Sequence, residues 1–186
     1  MQKEVEMKPF FALLEERCKK TGSLLCVGID PRPTELAAPT ASAARDFSLR
    51  MIEATSDIAA AYKPNSAFFE AFGPEGWQAL QDVIAAIPKE IPVILDSKRG
   101  DISSTAEAYA RSAFENLKAR AITINPYLGY DSISPFLSNP EHGVFLLCKT
   151  SNPGAVDLQD LHLAGEREPL RLFEKVALLA KEWNSG

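Results

Sequence analysis

The run Leu95-Asp96-Ser97-Lys98-Arg99-Gly100-Asp101-Ile102 sets two carboxylates and an ammonium group almost side by side, directly behind the apolar run Ile91-Pro92-Val93-Ile94-Leu95. A short apolar run bounded by breakers reads as a strand covered on both faces. Side chains alternate along a strand, so Asp96 and Lys98 are expected to point the same way. Charges at the carboxyl end of a buried parallel strand are where α/β proteins place their chemistry. With Lys63, the Asp96-Lys98-Asp101 cluster makes an alternating set of cations and anions. Buried charges persist only when paired, so this set could hold all four groups ionised in a dry pocket. The competing reading is a structural ion-pair network that closes one end of a sheet. Gly100 and Asp101, which follow at once, and the polar furnishing of the other strand ends weigh against it.

The elements that must position these groups alternate along the chain. Phe10 to Lys20 reads as a helix stopped by Thr21-Gly22, and Leu24 to Ile29 as a first strand ending at Asp30-Pro31. Ala43 to Ile58 follows as a helix, Ala59 to Tyr62 as a strand ending at Lys63-Pro64-Asn65, and Pro74 to Ile87 as a helix. Val93 to Leu95 is the third strand, with a helix from Ser104 to Lys118 behind it. Ala121 to Ile124 is the fourth strand, ending at Asn125. A short helix over Asp131 to Leu137 leads to a fifth strand, Val144 to Cys148, ending in Lys149. A long loop and a helix from Pro169 to Trp183 complete the pattern. Strands alternating with helices at this spacing imply parallel βαβ units.

Asp30, Lys63, Asp96, Asn125 and Lys149 each close a strand. Polar residues at every strand end fit a (β/α)8 TIM barrel better than an open doubly wound sheet, because all barrel strands converge on one mouth. Only about the first five βα units are present, so the expectation is one barrel domain over residues 1–186, incomplete at its C-terminus.

A chain of 186 residues with 46% hydrophobic and 24% charged content suits a single globular domain. The net charge of −5 argues against a broad nucleic-acid or acidic-membrane surface, though a focused basic pocket remains compatible with it. No stretch approaches a membrane span, and Met1 to Glu6 carries acids with no apolar run behind them, unlike a secretory signal. Cys18, Cys26 and Cys148 match no zinc spacing. They read as buried, reduced thiols and point to the cytoplasm.

The chain resembles the orotidine 5′-phosphate decarboxylase family, in its bacterial-type branch. The family's D-x-K-x-x-D-I-x-x-T motif is matched by Asp96, Lys98, Asp101, Ile102 and Thr105. The resemblance extends through Val27-Gly28-Ile29-Asp30-Pro31, Tyr62-Lys63-Pro64-Asn65-Ser66-Ala67-Phe68-Phe69-Glu70, Asn125-Pro126-Tyr127-Leu128-Gly129-Tyr130-Asp131-Ser132 and Thr150-Ser151-Asn152-Pro153-Gly154-Ala155. It implies loss of CO2 from orotidine 5′-monophosphate to give UMP, with no cofactor and no metal. Lys98 would protonate C6, and Asp96 would sit beside the substrate carboxylate. Lys63 and Asp30 would hold ribose hydroxyls and the charge network, and Ser151 would bond the pyrimidine edge. Asp101, Ile102 and Thr105 would reach into a neighbouring subunit's pocket, making a homodimer with shared active sites. The family's phosphate-gripping segments are expected beyond Gly186, which makes this stretch the carbanion-stabilising half of a site.

Simpler local roles compete for several of these residues. Asp30 before Pro31 suits a turn, as do Ser151 and Asn152 before Pro153-Gly154. Ser104 with Glu107 has capping-box spacing, Asp101 is an acid near that helix start, and Thr105 is a first-turn residue. His142 and His162 read as loop residues, Arg99 and Lys149 as sources of positive potential or solvated charges, and Glu166-Arg167-Glu168 as a solvated run. Three other functions are weighed: a Mg²⁺-dependent sugar-phosphate decarboxylase or lyase, a Schiff-base aldolase using Lys98 or Lys149, and a non-catalytic barrel fragment. The first would need an acid where Lys63 stands.

Overall fold

The computed structural model describes residues 8–164 and 169–184. The readings made on Met1 to Glu6, on Glu166 to Glu168 and on Gly186 lie outside them. Helix α1 (Phe10–Thr21) ends where Gly22 turns left-handed at φ 62°, with Lys19 and Lys20 set against its carbonyl end. There follow β1 (Cys26–Ile29), α2 (Ala41–Thr55), β2 (Ala61–Pro64), α3 (Ser66–Glu70), α4 (Gly73–Ala86), β3 (Ile94–Arg99) and α5 (Ser103–Arg111). Then come β4 (Ala121–Ile124), α6 (Ser134–Leu137), β5 (Gly143–Leu146), a small antiparallel pair β6 (His162–Leu163) and β7 (Leu170–Arg171), and α7 (Leu172–Trp183).

Strands β1 and β2 pair in parallel from Cys26–Ala61 to Ile29–Pro64. Parallel bridges at Tyr62–Val93 and Asn65–Asp96 join β2 to β3, and β3, β4 and β5 continue in parallel. Spatial order therefore equals chain order, the arrangement of consecutive units in a (β/α)8 barrel. Among the described residues β1 and β5 are the outer strands, and Leu24 and Phe145 beside them are 88% and 38% exposed.

Alternation along the strands separates structure from chemistry. Val27, Ile29, Tyr62, Leu95, Ile122 and Ile124 face the helices and pack into the main core with α2 and α4. The other face is layered. At the amino-terminal strand ends Ala61, Ile94 and Ala121 close around the fully buried ring of Phe10, so α1 plugs the bottom of the arc. Gly143 completes this layer, since a Cβ there would stand 2.3 Å from the Phe10 ring. One pleat higher, the same face carries Lys63, Asp96 and Thr123.

Several elements differ from the sequence pattern. Strands β2 and β3 run on through Lys63 and Lys98, because backbone pairing continues past the apolar part that marks a strand in sequence. Strand β1 begins at Cys26 rather than Leu24, and β5 ends at Leu146, short of Cys148. The helix expected to run to Lys118 widens into a π-turn over Ser112–Asn116, where the Leu117 N–H reaches the Ser112 carbonyl at 3.0 Å. Asp131 to Leu137 splits into a 3-10 turn (Tyr130–Ser132) and α6. The last helix starts at Leu172, because Leu170 and Arg171 pair with His162 and Leu163. His162 therefore lies in a strand.

The capping box at Ser104 and Glu107 does not form. Helix α5 starts at Ser103, and Ile102 occupies the cap without a side-chain bond. His142 is half-buried and stacked on Phe114 at 3.8 Å rather than free in a loop. The cysteines are all free, but not buried as expected: Cys26 is exposed on the inner face of outer strand β1, and Cys18 and Cys148 are half-buried.

Candidate active site

Asp96 is the hub of the upper layer. The β3–β4 register slips between Leu95 and Arg99, and inside the slip Lys98 adopts φ 48°. A left-handed backbone at a non-glycine residue costs on the order of 1–3 kcal/mol and persists only where its surroundings enforce it. Here the bulged strand is held by β4, because the Ser97 and Lys98 amides both donate to Thr123 Oγ1 at 3.0 Å. Thr123 Oγ1 in turn donates to Asp96 Oδ1 at 2.9 Å. Lys98 Nζ meets the same oxygen at 2.5 Å, and Lys63 Nζ meets Oδ2 at 2.9 Å.

The Asp96 side chain is 11% exposed, whereas Lys63 and Lys98 are 35% and 48% exposed. A buried carboxylate thus lies under two ammonium groups that reach the open side. Burial alone would push the Asp96 carboxyl up. Hydrogen bonds from Lys98, Lys63 and Thr123 outweigh it and hold the group below the usual carboxylate range. Burial likewise opposes the Lys63 charge, yet the hydrogen bond and charge of Asp96, aided by Asp30, keep its ammonium above the ordinary lysine value. Both partners are therefore charged at neutral pH. The arrangement can repel or displace an anion near Asp96 and deliver a proton from Lys98.

Of the residues singled out in the sequence, Lys63, Asp96 and Lys98 are brought together. Asp30 is half-buried at the end of β1, with Oδ1 buried and unbonded among the described residues, and its charge acts on Lys63. Asp101 does not join, so the expected four-charge set is a three-charge set within this chain. Its Oδ1 instead accepts the Ile102 N–H at 2.7 Å. The cause is the turn at Gly100, packed so closely on β4 that a Cβ would stand 2.3 Å from the Asn125 carbonyl oxygen. That turn carries Asp101, Ile102 and Thr105 off the strand to the start of α5, where Ile102 is 63% exposed. Ser151 is exposed in the loop after β5, beside the Thr150–Asn152 hydrogen bond, and makes no bond to the cluster among the described residues. Arg99 faces away from the cluster, pairs with Glu70 at 2.5 Å and stacks on Tyr109, so it is not a solvated charge. Lys149 is exposed and pairs with Asp160 at the surface at 2.6 Å.

Thr123 escaped the sequence reading. The signal was present, because the alternation Ala121-Ile122-Thr123-Ile124 puts one hydroxyl on the inner face beside Asp96. Among the described residues no group of His, Cys, Asp and Glu gathers to hold a metal, and no helix is long and apolar enough to cross a membrane.

The family model for "Orotidine 5'-phosphate decarboxylase / HUMPS family" matches residues 23–182. A protein of Herpetosiphon aurantiacus named orotidine 5′-phosphate decarboxylase is 53% identical over 168 residues, covering 88% of this chain and 62% of that protein. The solved structure of Leishmania donovani OMP decarboxylase superposes with a TM-score of 0.86 at 55% identity, over 95% of this chain and 67% of the other. Leishmania donovani UMP synthase gives the same score and identity over 96% of this chain, which corresponds to 38% of that longer chain. The chain spans about three-fifths of the length of the curated relatives it matches.

Proposed function

The chain belongs to the orotidine 5′-phosphate decarboxylase / HUMPS family, and on that premise we propose that it carries the charge centre for converting orotidine 5′-monophosphate to UMP and CO2. The observation that carries this reading is the Asp96 carboxylate, nearly buried and shared between Lys63 at 2.9 Å and Lys98 at 2.5 Å. In the reaction the bond from C6 to the carboxylate breaks, CO2 leaves, and the electron pair stays on C6. Lys98 donates its proton to C6 and is recharged from solvent. Before that, its ammonium stabilises the developing negative charge. Asp96 faces the substrate carboxylate, and two such charges about 4 Å apart repel by about 4 kcal/mol at an effective dielectric near 20. That repulsion vanishes as CO2 departs, and it raises kcat only if contacts elsewhere hold the substrate down.

One repulsive pair is small beside the roughly 8–23 kcal/mol by which enzymes lower barriers. The rest is assigned to the preorganised Lys63–Asp96–Lys98 array and to binding energy from ribose and phosphate. Asp30 and Lys63 are assigned to the ribose and Ser151 to the pyrimidine. The exposed Ile102, with Asp101 and Thr105 beside it, supports a homodimer in which these three complete the partner's pocket. The three free cysteines agree with a reducing, cytoplasmic setting. Residues 1–186 act as part of a single barrel domain.

The Mg²⁺-dependent alternative is disfavoured by one contact. It needs an acid ligand on β2, where Lys63 instead points its ammonium at Asp96. The test is to assay the chain for UMP formation from orotidine 5′-monophosphate beside Lys98→Ala. Turnover that disappears in the variant is expected. Wild-type turnover no greater than that of Lys98→Ala would overturn decarboxylase activity in this chain.

A further inference from the structure

We propose that Thr123 is the positioning residue of the charge centre: its one hydroxyl both locks the β3 bulge that carries Lys98 and aims the Asp96 carboxylate. The inference rests on the decarboxylase reading for its catalytic consequence, but its structural content stands on the geometry alone.

A threonine hydroxyl has one proton to give and two lone pairs to accept with. At Thr123 all of this capacity is used on the catalytic strand. The lone pairs take the Ser97 and Lys98 amides, each at 3.0 Å, and the proton goes to Asp96 Oδ1 at 2.9 Å. Accepting from two amides fixes the direction of the third bond, so the hydroxyl must donate to the carboxylate. The register slip between Leu95 and Arg99 is where β3 would otherwise exchange ladder bonds with β4. Thr123 supplies a side-chain substitute for that lost ladder, and the substitute permits the left-handed φ of 48° at Lys98.

The same oxygen, Asp96 Oδ1, receives both Thr123 Oγ1 and Lys98 Nζ. Backbone and side chain of Lys98 are therefore both referred to one point on β4. A plain strand-forming role would be served equally by valine, which keeps the branched shape and removes the hydroxyl. Valine would leave two amides without an acceptor and Asp96 with only its lysines.

The experiment compares wild type, Thr123→Val and Thr123→Ser, with Thr123→Ala in reserve should the valine variant not fold. Amide exchange at Ser97 and Lys98 is expected to accelerate about tenfold to a hundredfold in Thr123→Val, while Ile122 and Ile124 stay protected. The Asp96 carboxyl, followed by carbon NMR, is expected to titrate at higher pH in that variant. Its kcat should fall about tenfold or more with KM changed by no more than about twofold, the mark of an interaction that matters in the transition state. Thr123→Ser should restore all three readouts. Exchange and titration unchanged in Thr123→Val would overturn the proposal. So would a serine variant as damaged as the valine one, since shape rather than the hydroxyl would then be at work. A wild-type chain without turnover would count against the decarboxylase reading, while exchange and titration in the same proteins would still decide the role of Thr123.

Discussion

Replacing Asp96 by asparagine keeps the shape of the side chain and removes the charge that two lysines converge on. The contacts are 2.9 Å to Lys63 and 2.5 Å to Lys98. In a water-like dielectric each is worth about 1.5 kcal/mol. That screened limit is the appropriate one, because the lysine side chains are 35% and 48% exposed. The summed attraction of about 3 kcal/mol is opposed by burial of the carboxylate, although the net effect still lowers its pKa. Asparagine offers a single carbonyl oxygen to three donors, Lys63, Lys98 and Thr123. The expected loss at neutral pH is therefore about 2 kcal/mol.

The sign of the pH dependence separates charge from packing. The folded-state pKa of Asp96 is lowered, so its contribution is present above the unfolded-state value of about 3.9 and disappears as pH falls through the lower folded value. Urea unfolding of wild type and Asp96→Asn should show a gap of about 2 kcal/mol near pH 7 that narrows as the pH falls below the unfolded-state value and through the lowered folded one. A gap of constant size would refute the electrostatic account and assign the loss to packing or hydrogen bonding.

Two further outcomes test the scaffold. Phe10→Ala should cost about 3–5 kcal/mol, read as a lower urea midpoint, because the ring is fully buried between Ala61, Ile94 and Ala121 and plugs the base of the site. Gly100→Ala should destabilise by about 1–3 kcal/mol, because its Cβ would meet a backbone carbonyl, that of Asn125, at 2.3 Å. An unchanged midpoint in that variant would show that the β3–α5 turn does not pack on β4 as described.

Much of the fold was legible in the chain because burial writes a period into the sequence. The apolar cores of the strands, from Val27 and Ile29 to Ile122 and Ile124, announced the βα rhythm, and α1, α2 and α4 follow it closely, whereas the short α3 directly after β2 was not read from it. Boundaries failed where polarity and pairing part company. Lys63, Asp96 and Lys98 were placed at or beyond strand ends, yet they lie within β2 and β3, because a ladder needs backbone groups and not apolar side chains. The helix start near Ser104 was read to within one residue of Ser103, whereas the π-turn at Ser112–Asn116 left no mark in the local pattern.

The sequence by itself predicted that Asp96 and Lys98 share a face, from the alternation of an extended strand. They do meet, but through a bulge with Lys98 at φ 48° rather than through regular alternation. Composition and alternation were also enough to imply a parallel arc with its charges at one end. Only the tertiary structure decided which charges meet. Lys63 reaches Asp96 because β2 and β3 are neighbours in register, and Asp101 does not because the tight Gly100 turn carries it to α5. Thr123 belongs to the centre for the same reason as Lys63. Its hydroxyl acquires a function only when the β3–β4 register slips and leaves two amides and a carboxylate within its reach. Local pattern fixes the side on which a group lies, whereas the distances between groups on different strands come from long-range pairing that no stretch of sequence contains.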